Sequence, residues 1–174
     1  ELGDLLDGWD GYTARGGHKL PQNMNNKQQF DAAVDFKVKM IDMLIPYYDS
    51  IICNNICNDN HAGDFGYTTN QTFKHIVELK YSNVKVTNHC KFINHYNIGK
   101  HGFMITHGKD DKHLKFGFKP ILESKQVEKI DQYSKQFGLF KYDYLEFSKG
   151  DSHQLLLDYS TSQDFDYFNI IAFS

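Results

Sequence analysis

The apolar spacing between residues 27 and 57 constrains this chain most. Phe30, Ala33, Val34, Val38, Ile41, Leu44 and Ile45 recur at helical intervals, with Asn25 or Asn26 available as N-cap and Pro46 just past the last turn. A short β-branched run at 50–57, Ser-Ile-Ile-Cys-Asn-Asn-Ile-Cys, follows at once and predicts a buried strand. A chain that changes period so abruptly must layer helix on sheet. The rest extends the pattern. A second helix is predicted at about 68–80, with Phe73, Ile76, Val77 and Leu79 inward. Strands are predicted at 84–87, 91–98 and 102–106, and a third helix at 124–137 through Val127, Ile130, Tyr133 and Phe137. Strands at 142–147, 154–159 and 167–173 close the chain. The expectation is an α/β sandwich whose last third is rich in strands.

Composition bounds the rest. A length of 174 residues fits one domain, and 40% hydrophobic content supplies a core. A net charge of −3 does not advertise a broad basic nucleic-acid surface. Three cysteines, Cys53, Cys57 and Cys90, are an odd set without framework spacing, which argues for a reducing cytoplasm, with Cys53 as a buried thiol. No apolar stretch approaches a membrane span, so no membrane partner is expected. There is no G-x-S-x-G elbow, P-loop or dinucleotide fingerprint.

Four times, possible ligands fall where a strand candidate ends. Asp4 follows a short apolar start, in a segment 1–8 that reads as a strand end entering a loop. Asn60-His61 follows the run at 50–57, His107 follows Gly102 to Thr106, and Gly150-Asp151-Ser152-His153 lies between two strands. The carboxyl ends of strands are where sites collect in layered α/β folds. Carboxylate, carboxamide and imidazole together suit Mn²⁺, Fe²⁺, Zn²⁺ or Mg²⁺. A carboxylate such as Asp4 can bridge two cations about 3.5–4 Å apart, which grip a phosphate and acidify a water. Each cluster alone also reads as an ordinary polar turn; their order and placement carry the metal reading.

These blocks resemble the calcineurin-like metallophosphoesterases. Gly3-Asp4-Leu5-Leu6-Asp7-Gly8 is similar to that family's GDxxDxG-type block and Asn60-His61 to the core of its GNH[DE] block. Ile105-Thr106-His107-Gly108 resembles its third block, and Gly150-Asp151-Ser152-His153 its closing GHxH block. The four come in family order and cover nearly the whole chain. The run from Gly3 through Arg15-Gly16-Gly17-His18 to Asn23 looks like phage-encoded, exonuclease-like members.

The resemblance implies a single domain over 1–174, built as a metallophosphatase-like β-sandwich flanked by helices. It implies a phosphodiesterase or nuclease with two divalent cations, Mn²⁺ foremost, and a metal-activated water. The setting would be a phage or prophage protein in a bacterial cytoplasm. Asp4 would bridge the cations, Asn60 and His107 would bind one and His153 the other. His61 would assist the leaving group, and Asp7 would support the loop. Arg15 and His18, on a Gly-rich loop, could reach a substrate phosphate. The partner would be a phosphoester, with nucleic acid as one form of it.

The family's DxH block is absent and would precede Glu1, so the expected fold is N-terminally truncated. Asp59 replaces a glycine and Asp151 replaces a histidine; Asp151 can still bind a hard cation. These departures keep a second reading open, a catalytically impaired binding module on the same scaffold. His75, His89, His95, His101 and His113 read as surface or packing residues, and Lys109, Lys112, Lys115 and Lys119 as a solvated loop.

Overall fold

The computed structural model describes residues 1–57, 59–110, 114–117 and 119–171. It is a mixed α/β structure that divides into two compact units. One comprises Glu1 with Gly3–Cys90, and the other Leu2 with Lys91–Ser174.

In the first unit, helix α1 spans Asn26–Leu44. Asn25 caps it: its side chain accepts the Gln28 N–H at 3.0 Å, and Gln28 Oε1 accepts the Asn25 N–H at 3.0 Å. A 3₁₀ turn at Ile45–Tyr47 ends the helix at Pro46, which has no N–H to continue it. Strand β1 (Ile51–Ile56) pairs in parallel with β2 (Val84–His89), from Ile51 opposite Val84 to Ile56 opposite His89. Parallel strands need a crossover, and α2 (Asp64–Lys80) supplies it. Ile41, Phe73, Val77, Val84 and Val86 form the core. Each such side chain contributes roughly 1.5–3 kcal/mol on burial.

Two expectations about this unit need correction. Helix α2 begins at Asp64 rather than near 68, and its buried residues are Gly66, Thr69, Asn70, Phe73 and Val77. Ile76 is 38% and Leu79 89% exposed, so neither faces inward. The inner stripe is partly polar because α1 buries Lys37 against it. The Lys37 ammonium meets Asn55 Oδ1 at 3.0 Å, Asn70 Oδ1 at 2.5 Å and the Glu1 carboxylate, over the Phe73 ring. A buried ammonium without these acceptors would cost several kcal/mol. Cys53 is only partly buried, whereas Cys57 is 2% exposed. At the chain start, the Glu1 carbonyl accepts the Ile56 N–H at 2.9 Å, so the first residue lies along β1 before the chain bends away.

In the second unit, β3 (Asn94–Ile98), β4 (His101–Thr106), β5 (Tyr144–Lys149), β6 (Leu156–Asp158) and β7 (Asp166–Asn169) form one sheet in the order β3-β4-β5-β7-β6. The central strands β4, β5 and β7 are parallel; β3 and β6 pair antiparallel at the edges. Helix α3 (Ser124–Gln136) links β4 to β5 and inserts Ile130 into a core with Met104, Leu145, Phe147 and Tyr167. The expected helix at 124–137 appears one residue shorter; of the tail strands, the one expected at 142–147 is shifted by two residues, and those expected at 154–159 and 167–173 are shorter, the latter beginning at Asp166; positions 172 and 173 lie outside the described residues. Among the described residues, no helix is long and apolar enough to cross a membrane.

Candidate functional site

Parallel pairing decides what the second unit can present. Thr106 of β4 stands opposite Lys149 of β5, so both strands end at one level and release His107 and Gly150-Asp151 side by side. Two glycines allow the close approach. Gly108 has φ +125°, and a Cβ there would meet Lys149 Cγ at 2.9 Å and the Gly150 carbonyl at 3.1 Å. The Gly150 N–H donates to the His107 carbonyl at 3.0 Å.

The side chains then meet. His107 Nε2 lies 3.6 Å from Asp151 Oδ1, and the side chains are 6% and 5% exposed. His107 Nδ1 is 2.8 Å from the Leu2 carbonyl. A carbonyl only accepts, so Nδ1 carries a proton, and in a neutral imidazole Nε2 turns its lone pair towards the carboxylate. Two electron-rich atoms at this distance repel unless a proton or a cation stands between them. Asp151 Oδ2 is also buried, with no hydrogen-bond partner among the described residues. The donor set, one imidazole nitrogen and a carboxylate, fits a divalent cation.

A buried network supports this turn. Ser152 Oγ donates to Asn169 Oδ1 at 2.7 Å, the Lys149 ammonium donates to the same oxygen at 3.0 Å, and the Asn169 amide donates to the Gln154 carbonyl. Lys149, Ser152 and Asn169 are fully buried. Burial pushes the Lys149 ammonium down to about 8, against the opposing pull of Asp151. Lys149 and Asn169 escaped the sequence reading. Strand alternation was the available signal, since Lys149 shares a face with Leu145 and Phe147 and Asn169 shares one with Tyr167. Asp151 (φ +66°) and His153 (φ +52°) have left-handed backbones. That conformation is uncommon outside glycine and gathers at functional sites. His153 is exposed.

The first unit holds the other expected residues. Asp59 is 2% exposed, and its Oδ1 accepts the His61 N–H at 3.0 Å and the Ala62 N–H at 2.7 Å. Asp59 therefore pins the turn that carries Asn60 and His61. The Gly-rich loop seats on the same turn: the Ala14 N–H donates to the His61 carbonyl at 2.7 Å and the Arg15 N–H to the Asn60 carbonyl at 2.9 Å. The His18 N–H donates to Thr13 Oγ1 at 2.9 Å, which closes the loop. Arg15, His18, Asn60 and His61 thus belong to one assembly, with the Arg15 and His18 side chains exposed. His61 Nδ1 stands 3.6 Å from Asp7 Oδ1. Asp7 also ties the loop to α1, since its N–H donates to Gln29 Oε1 at 2.9 Å. Asp4 lies in this unit on a left-handed backbone (φ +51°) behind Gly3 (φ +92°).

The remaining histidines are where packing would put them. His95 Nδ1 meets the Tyr133 hydroxyl at 2.8 Å, His101 stacks on Phe103, His89 meets Asn54 at 3.0 Å and His75 meets Gln71 at 3.1 Å. Lys115 and Lys119 are exposed; Lys112 and His113 lie outside the described residues. No family model matches the chain, and no curated protein or solved structure matches it either.

Proposed function

We propose that the chain is a metal-dependent phosphoester hydrolase of the calcineurin-like metallophosphoesterase type, acting on a phosphodiester of the kind found in nucleic acid. The observation that carries the reading is the buried His107–Asp151 pair at the carboxyl ends of β4 and β5. His107 is fixed through Nδ1 so that Nε2 faces Asp151 Oδ1 at 3.6 Å. A histidine whose second nitrogen is tied to a backbone carbonyl is the usual state of a metal ligand. The metallophosphatase-like sandwich and the cytoplasmic, phage-type setting belong to the same proposal.

The residues divide the work. His107 and Asp151 would hold a cation in the second unit; the resemblance to the metallophosphoesterases would make Asn60 and Asp4 ligands as well. His153 completes the assigned ligand set. Bound divalent cations supply positive charge to phosphate oxygens and acidify a water. His61, with Asp7 beside its Nδ1, gives a proton to the departing oxygen through Nε2. Arg15, carried on the loop seated against Asn60, offers its guanidinium to the phosphate.

The test is metal binding followed by turnover. Titration with Mn²⁺ in a calorimeter should show saturable binding that His107→Ala weakens by about 10-fold or more. A protonated His107 paired with Asp151 and no metal would leave both titrations flat. With Mn²⁺, hydrolysis of bis(4-nitrophenyl) phosphate should fall about 100-fold in Asn60→Ala and in His107→Ala. Turnover unchanged in both variants would overturn the ligand assignment. The binding-module reading is favoured by the exposure of His153, and it predicts Mn²⁺ binding with no hydrolysis of either the aryl diester or single-stranded DNA.

A further inference from the structure

We propose that Cys57 and Cys90 form a redox-active pair, joined as an intramolecular disulfide by a peroxide-class oxidant. The argument comes from strand register. Strands β1 and β2 run parallel to the pair Ile56–His89, and one further hydrogen bond, from the Cys57 N–H to the His89 carbonyl at 2.7 Å, continues the ladder. In a parallel ladder that bond sets Cys57 opposite Cys90. Neighbouring strands lie about 4.8 Å apart, within the range of Cα separations that a disulfide spans.

Side chains of facing residues share a side of the sheet, and the same side returns every second residue. Two positions upstream on that side, Asn55 and Asn88 face each other, and their side chains are hydrogen-bonded at 2.9 Å. Continued by one pleat, the same alternation puts the Cys57 and Cys90 side chains on that side, where the Cys57 thiol lies 3.9 Å from the Asn55 carbonyl. Electrostatics agrees, since Cys90 is among the groups that act on the Cys57 thiol. Cys53 lies on the same side of β1 but faces Val86, which offers no sulfur.

The two thiols have different parts. Burial raises both, with Asp64 adding to it at Cys90, but Cys90 is exposed and meets the oxidant, whereas Cys57 is 2% exposed and pushed up to about 12, so it resolves rather than initiates. The Cys90 thiolate attacks hydrogen peroxide, the O–O bond breaks, and sulfenic acid and hydroxide form. The Cys57 sulfur then displaces the sulfenic oxygen, and its proton leaves with it as water. In sum, two thiols and one peroxide give one disulfide and two waters. The bond would fasten the carboxyl ends of β1 and β2 just ahead of the turn that Asp59 pins.

Peptide mapping of the full chain tests this. The protein is treated with hydrogen peroxide, remaining thiols are alkylated under denaturing conditions, and digestion is carried out without reductant. The expected product is a Cys57–Cys90 linked peptide, two hydrogens lighter than its parts, with Cys53 alkylated. In Cys90→Ser, at an exposed position that should not disturb folding, Cys53 and Cys57 should both be fully alkylated. Cys57 recovered as an alkylated thiol while Cys90 has gone on to sulfinic acid, or a linkage that includes Cys53, would overturn the proposal.

Discussion

In the turn at 59–62 one carboxylate does the holding: Asp59 accepts two backbone N–H groups, and the loop at 14–15 adds main-chain bonds from outside. In the turn at 150–153 the support comes from the sheet beneath, where the Ser152 hydroxyl and the Lys149 ammonium share the buried Asn169 Oδ1. The first turn keeps its candidate ligands Asn60 and His61 on backbone that needs no left-handed residue until Gly63. The second forces both Asp151 and His153 through positive φ. A short polar residue bonded to its own turn stabilises locally. A strained turn persists only when its surroundings over-determine it. The two turns should therefore fail differently when their supports are removed.

The largest effect should come from Asn169→Leu. It leaves the Lys149 ammonium buried without its amide acceptor and should cost about 3–5 kcal/mol by urea denaturation. Next comes Gly108→Ala, where φ +125° and the nearby Gly150 carbonyl both resist a Cβ; a loss of about 2–4 kcal/mol is expected. Asp59→Ala should cost about 2 kcal/mol, with faster hydrogen exchange confined to the His61 and Ala62 amides. If Asp59→Ala matched Asn169→Leu, the contrast between local and underlying support would be broken.

The smallest effect serves as a control away from both turns. The Asp158 carboxyl is held down to about 2 by the Thr161 hydroxyl and the Ser160 N–H. Its folded value lies below its unfolded one, so its contribution is present above about pH 4 and fades as pH falls towards 2. The group is solvent-accessible, so Asp158→Asn should cost less than about 1 kcal/mol at pH 7, with most of that gone by about pH 2. A melting-temperature series over that window checks both magnitude and sign.

What could be read from the sequence follows from which residues carry periodic signals. The Asn25 cap, the Pro46 stop and the apolar stripe of α1 are local chemistry, and the helix begins and ends where they say. Helix α2 departs from the apolar spacing because Ile76 and Leu79, hydrophobic but exposed, lie off its inner side, which holds Thr69 and Asn70 beside Phe73 and Val77. A polar core residue such as Lys37 or Asn70 is invisible to apolar spacing; its partners come from other elements. The same holds at the candidate site. His107 and Asp151 stood out as polar residues after strands, but that they meet depends on β4 and β5 being parallel and in register, which no single strand encodes. Lys149 and Asn169 were passed over because lysine and asparagine are ordinarily surface residues.

The parallel run of β4, β5 and β7 also has a practical side. It gathers the chemistry-bearing loops on one rim and leaves the opposite rim to connections that hold none of the candidate ligands. The Gly99–Lys100 bend between β3 and β4 lies on that far rim, is exposed, and has open space around Gly99. Such a bend tolerates inserted sequence. A fluorophore, an affinity handle or a whole reporter domain grafted there would leave the His107 rim untouched, and would give a way to immobilise the protein with that rim facing solution.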